Sequence, residues 1–169
     1  MSEQKHPLEK ITALRYKNYF LMTDTMRDND NLIAVILRVH LVSEYLLEEL
    51  IRFVFEEKAD AILSIGLRYQ QKLELVSKLE LVEDWELLPD FVVVSLKKLN
   101  KLRNRVAHRL NEKIIDDEIR DLFMGLEDEL PYQDISEFGS VTAMKRYLAF
   151  IYGCMLPKFE KTEESPIDE

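Results

Sequence analysis

Residues 91–111, FVVVSLKKLNKLRNRVAHRLN, hold the densest run of chemically capable side chains in this sequence. Lys97, Lys98, Lys101, Arg103, Arg105 and Arg109 are basic, and no acidic residue interrupts them. Asn104 and His108 lie among them. A guanidinium grips phosphate through a planar fork, and an imidazole exchanges a proton near neutral pH. One such strip can hold a phosphate at one place. It can equally be a solvated helix face. Arg103 is then a structural ion-pair residue, Asn104 and Asn111 belong to the helix end, and His108 suits the helix dipole.

The remaining sequence limits what the strip can mean. The 169 residues carry 23 Lys and Arg, 32 Asp and Glu, and 3 His, for a net charge of −9. Six of the 23 basic residues sit in the strip, so the other 17 face all 32 acidic ones. Long-range repulsion makes such a chain a poor general nucleic-acid binder. His6, His40 and His108 are far apart, and neither HExxH nor paired-Cys spacing occurs, so neither a metal nor a cofactor is expected. The lone Cys154, in AFIYGCMLP, reads as an inert core thiol and excludes an internal disulfide framework. No glycine-rich phosphate loop is present. No apolar run reaches the length of a membrane span, and MSEQKHPLEK has no secretory apolar region. A cytoplasmic protein without membrane attachment is the expectation.

The elements that must position the strip read as all-α. Leu, Glu and Lys dominate, Gly is scarce, and no alternating segment is bounded by hairpin signals. One helical domain is expected over 1–157, with a disordered acidic tail over 158–169. The predicted helices run over about 7–26, 31–57, 69–81, 89–107, 114–130 and 136–156. The turn Asp28-Asn29-Asp30-Asn31 supplies a cap for the second, and 58–68 is a connector. On a helical wheel, Leu88, Val92, Leu96, Leu99, Leu102 and Val106 form a core stripe, and Arg103 falls inside it. In the long apolar helix, Ile33, Ile36, Leu37, Leu47, Ile51 and Val54 share an arc with His40 and Glu44, while Arg38, Glu49, Arg52 and Glu56 face solvent. A buried Arg needs a partner, and a Glu44–Arg103 pair is the expectation.

Arg103-Asn104 followed by Val106-Ala107-His108 resembles the R-N-x-x-x-H signature of the HEPN superfamily, and the long apolar helix before it fits that family's pattern. The resemblance implies a HEPN-like bundle of about five to six helices. It also implies a metal-independent endoribonuclease, of toxin or defence type, in which a ribose 2′-OH attacks the neighbouring phosphate. Carried over, His108 is the general acid or base, Arg103 the phosphate clamp, and Asn104 orients either. Glu44 and His40 form a supporting polar cluster, and Lys97, Lys101, Arg105 and Arg109 guide the RNA backbone. RNA and a second copy of the chain are the implied partners, with a cognate antitoxin or a regulatory protein as a further one. Within the superfamily, Gln71-Lys72-Leu73-Glu74-Leu75, the motif helix and Ile114-Ile115-Asp116-Asp117-Glu118-Ile119 are similar in succession to the mannitol operon repressor group. That resemblance implies a non-catalytic regulatory or protein-interaction role instead.

Helix geometry sets a condition. Five residues are about 500° of turn, so Arg103 and His108 leave a straight helix about 140° apart. Either the helix unwinds by about Ala107, or a second subunit supplies one of the two groups.

Overall fold

The computed structural model of the protein describes residues 31–79, 87–108, 116–126 and 139–155. These segments are helical and contain no strand. The central element, α1, spans Leu32–Phe55. Its start follows from Asn31, whose side-chain oxygen accepts from the Ala34 amide at 3.2 Å, satisfying one of the orphan donors of a helix N-terminus. Glu56 ends it in a left-handed conformation (φ 48°). A short 3₁₀ turn, Glu56–Lys58, replaces the last residues of the predicted helix, and a five-residue helix, α2 (Ala59–Leu63), lies within what the sequence presents as a connector. Then come α3 (Tyr69–Val76), α4 (Asp90–His108), α5 (Asp116–Phe123) and α6 (Gly139–Met155).

α1 packs on α3, α4 and α6, α4 on α3 and α5, and α5 on α6. The result is a helical bundle wrapped around one long apolar helix. Ile36, Leu46, Leu47, Leu50 and Ile51 of α1 meet Leu73, Leu96, Leu99, Phe123 and Tyr147 in a single buried cluster. The stripe expected on α4 is the face it buries: Leu88, Val92, Leu96, Leu99, Leu102 and Val106 are all buried. Glu49 departs from expectation. It is buried, at 6% exposure, where the wheel puts it in solvent. A helix flanked by three others buries a wider arc than its apolar stripe, and Arg52 Nη1 holds the carboxylate at 3.0 Å.

Two helices are shorter than predicted, each for a local reason. α3 stops at Val76, where the Ser77 hydroxyl turns back to the Glu74 carbonyl at 3.0 Å and competes with the backbone ladder. α5 stops at Phe123 because Gly125 adopts φ +96°, a left-handed turn open to glycine. The predicted first helix and the acidic tail lie outside the described residues.

Buried hydroxyls tie the bundle together in two places. Ser95 donates to the Leu122 carbonyl at 2.7 Å and so accepts from the Tyr147 hydroxyl at 2.9 Å, joining α4, α5 and α6. Ser43 donates to the His40 carbonyl at 2.7 Å and accepts from the Tyr69 hydroxyl at 3.0 Å, joining α1 and α3. Burial raises both phenols above their ordinary range, so they stay neutral donors. Replacing Ser95→Ala strands the buried Tyr147 hydroxyl and costs about 1–3 kcal/mol in urea unfolding. Adding Tyr147→Phe removes the stranded group, so the double variant is expected to be less destabilised than the two single costs summed. Strict additivity would contradict this network.

Candidate functional site

α4 carries the motif, and its surroundings divide the basic strip in two. Lys98 and Arg105 turn toward α5. Lys98 donates to the Asp121 carbonyl at 2.7 Å and the Met124 carbonyl at 3.2 Å, with its Nζ 3.2 Å from the Asp121 carboxylate. It therefore satisfies the open C-terminal end of α5. Arg105 forms a close ion pair with Glu118. The groove between α4 and α5, about 430 Å³, has Lys98, Lys101 and Arg105 on one wall and Asp117, Glu118 and Asp121 on the other. Its opposed charges cancel, so it offers no net attraction to a polyanion.

Lys97, Lys101, Asn104 and His108 are all exposed. Their spacing puts them within about 60° of arc on one side of α4, over roughly 16 Å of its length. Arg103 emerges on another side, half-buried, and its Nη1 donates to Asn104 Oδ1 at 3.0 Å. α4 stays helical through His108, so it does not unwind by Ala107. Within one chain Arg103 and His108 therefore point about 140° apart. Arg109 lies outside the described residues.

The supporting polar cluster is present with other partners than expected. Glu44 does not pair with Arg103. Its carboxylate accepts from Lys72 of α3 at 2.8 Å, and Glu48 accepts from the same ammonium at 2.5 Å. Burial pulls the Lys72 pKa down, but these two carboxylates outweigh it and the net shift is upward. His40, 3% exposed, sits beside this triad. Its Nε2 lies 3.1 Å from Asn100 Oδ1 on α4, and its ring stacks on Tyr69 at 4.2 Å. Arg103 and Glu44 are its charged neighbours. The cluster thus joins α1, α3 and α4 behind Arg103.

Lys72, Asn100, Tyr69 and Ser43 escaped the sequence reading. Tyr69, Lys72, Leu73 and Val76 follow helical spacing, so a lysine on that apolar face was the available signal for Lys72. The motif singles out Asn104, and no feature of the sequence marks Asn100 as the partner of His40.

Among the described residues no three His, Cys, Asp or Glu side chains group as a metal site requires, and no helix is long and apolar enough to cross a membrane. No protein-family model, curated protein or solved structure matches the chain.

Lys72→Met leaves Glu44 and Glu48 facing each other. It is expected to cost about 1–3 kcal/mol, less than for a fully buried pair because water reaches both carboxylates. Because the folded pKa of Lys72 is raised, its contribution is complete below pH 10.5 and is lost as pH rises through the folded value. The stability gap between wild type and Lys72→Met should therefore be flat through neutral pH and shrink in alkali. A gap that widens in alkali would contradict the charge triad.

Proposed function

We propose that this protein is a metal-independent endoribonuclease of the HEPN kind that acts as a homodimer, with Arg103 of one subunit and His108 of the other meeting at each site. The observation that carries this reading is the arrangement of the motif. Asn104 and His108 share an exposed face with Lys97 and Lys101, and Arg103, half-buried beside them, is held by Asn104. The exposed imidazole suits proton transfer, and the guanidinium suits the charge of a pentavalent phosphorane.

In this reaction a His108 imidazole accepts the proton of a ribose 2′-OH. The 2′ oxygen attacks the adjacent phosphorus, and Arg103 stabilises the added negative charge. The bond to the 5′ oxygen breaks, and that oxygen takes a proton from an imidazolium or from water. The products are a 2′,3′-cyclic phosphate and a 5′-OH. Lys97 and Lys101 contact neighbouring phosphates of the strand. Arg105, expected to share that task, is committed to Glu118.

A second reading is favoured by the unbroken helix through His108. If no second subunit supplies the missing group, Arg103 and His108 never meet, and the motif face serves protein contacts in a regulatory role.

Subunit complementation separates the two. His108→Ala and Arg103→Ala are each expected to lower RNA cleavage in EDTA by about a hundredfold or more. Unfolding the two variants together and refolding them gives mixed dimers with one intact composite site. Cleavage should return to about a quarter of wild type, since half the dimers are mixed and each has one of two sites. Failure of the mixture to regain activity, with wild type active, would contradict a site shared between subunits. No cleavage by wild type would favour the regulatory reading.

A further inference from the structure

We propose that His40 is a proton-sensitive positioning residue: as a neutral imidazole it ties α1 to Asn100 of α4, and its protonation loosens the turn of α4 that carries Arg103.

The ring is fixed from three directions. Its Nε2 faces Asn100 Oδ1 at 3.1 Å, its plane stacks on Tyr69 with an interplanar angle of 28°, and its own carbonyl accepts from Ser43, which also holds the Tyr69 hydroxyl. With the Asn100 oxygen as acceptor, Nε2 carries the proton. Nδ1 is buried and has no hydrogen-bond partner among the described residues. A neutral imidazole tolerates this, because a bare nitrogen lone pair is its second ring site. An imidazolium does not, because both nitrogens then need acceptors, and this pocket offers one.

The surrounding charges add to the effect. From α4, Arg103 opposes a second positive charge. From α1, Glu44 favours it, but that carboxylate is engaged by Lys72 of α3. Tyr69, the other titratable group facing the ring from α3, is held neutral by burial. Burial, opposed by the Asn100 hydrogen bond, leaves the His40 pKa below its usual 6.5. The sign follows. Below pH 6.5 the unfolded chain takes a proton at this position more readily than the folded chain, so stability is complete above 6.5 and falls beneath it until the folded imidazole also titrates. Asn100 lies one turn before Arg103 and Asn104. An imidazolium keeps its Nε2–H, so its bond to Asn100 breaks only when the ring swings outward to hydrate the new Nδ1–H; that movement separates Asn100 from α1 and releases the helix turn that sets the guanidinium. That consequence for cleavage rests on the ribonuclease reading, whereas the coupling itself rests on the α1–α4 geometry alone.

The test compares wild type, His40→Gln and Asn100→Asp. His40→Gln keeps a donor for Asn100 and cannot titrate. Melting temperatures are followed from pH 7.5 to 5.0, and the His40 ring signal, identified by its loss in His40→Gln, is titrated by NMR. Between pH 6.5 and the folded pKa the wild-type folding equilibrium should fall relative to His40→Gln, by at most about tenfold per pH unit, or about 3–6 °C in melting temperature. Asn100→Asp gives the imidazolium a carboxylate and should move the His40 titration upward by one pH unit or more. Matching pH profiles for wild type and His40→Gln would overturn the proposal. So would a wild-type His40 that titrates at 6.5 or above, or an Asn100→Asp titration that does not move. Should His40→Gln fail to fold, the His40 signal is identified as the one that remains in a His6→Gln/His108→Gln variant, and the Asn100→Asp titration decides alone. RNA cleavage in the same pH series adds the functional readout. An acid loss that His40→Gln relieves supports the link to Arg103. An acid loss identical in both proteins overturns that link. Absence of cleavage at any pH removes the ribonuclease reading and leaves the melting and NMR results to decide the coupling.

Discussion

The bundle depends on burying polar groups where three helices meet, and their N–H and O–H donors must find acceptors there, a demand the bare Nδ1 of a neutral His40 does not make. α1 is apolar along most of its length, yet His40, Ser43 and Glu44 lie on its packed side. An unsatisfied polar atom in such a place costs more than a hydrogen bond gains. Lys72 answers Glu44, Tyr69 answers Ser43, and Asn100 answers His40. These pairings fix which face of α3 and which turn of α4 can lie against α1. Apolar packing alone would leave small rotations of α4 nearly equal in energy; the polar contacts distinguish them.

That constraint explains why the basic strip is not one surface. Once Asn100 faces α1, Lys98 and Arg105 are turned toward α5 and become its partners. Lys97, Lys101, Asn104 and His108 are left on the solvent side. Two of the cations therefore hold the fold, and two are available to a ligand. In a chain of net charge −9, any phosphate contact is thus local.

Much of the fold was legible because long apolar stripes have one reading. The α4 stripe follows from spacing, and a cap from the turn before α1 follows from residue type; the structure keeps the stripe and selects Asn31 as the cap. The ends of α3 and α5 were less legible, since a serine back-bond and a single left-handed glycine are decided by local geometry. At the candidate site, the sequence indicated that His40 and Glu44 face inward, but not what they meet. Glu44 and Arg103 both sat on inward arcs and looked complementary. The actual partner, Lys72, comes from a third helix whose position against α1 no helical wheel supplies. The divergence of Arg103 and His108 was legible from the start, because it follows from helix pitch and needs only that α4 stay regular to His108.

In the proposed reaction an imidazole and a guanidinium carried by α4 cleave RNA through its own 2′-OH. The most direct measurement is the chemistry of the ends released from a labelled mixed-sequence RNA by wild type in EDTA. The account predicts a 2′,3′-cyclic phosphate on the upstream fragment and a 5′-OH on the downstream one. Fragments bearing 3′-OH and 5′-phosphate ends, or intact RNA, would contradict it.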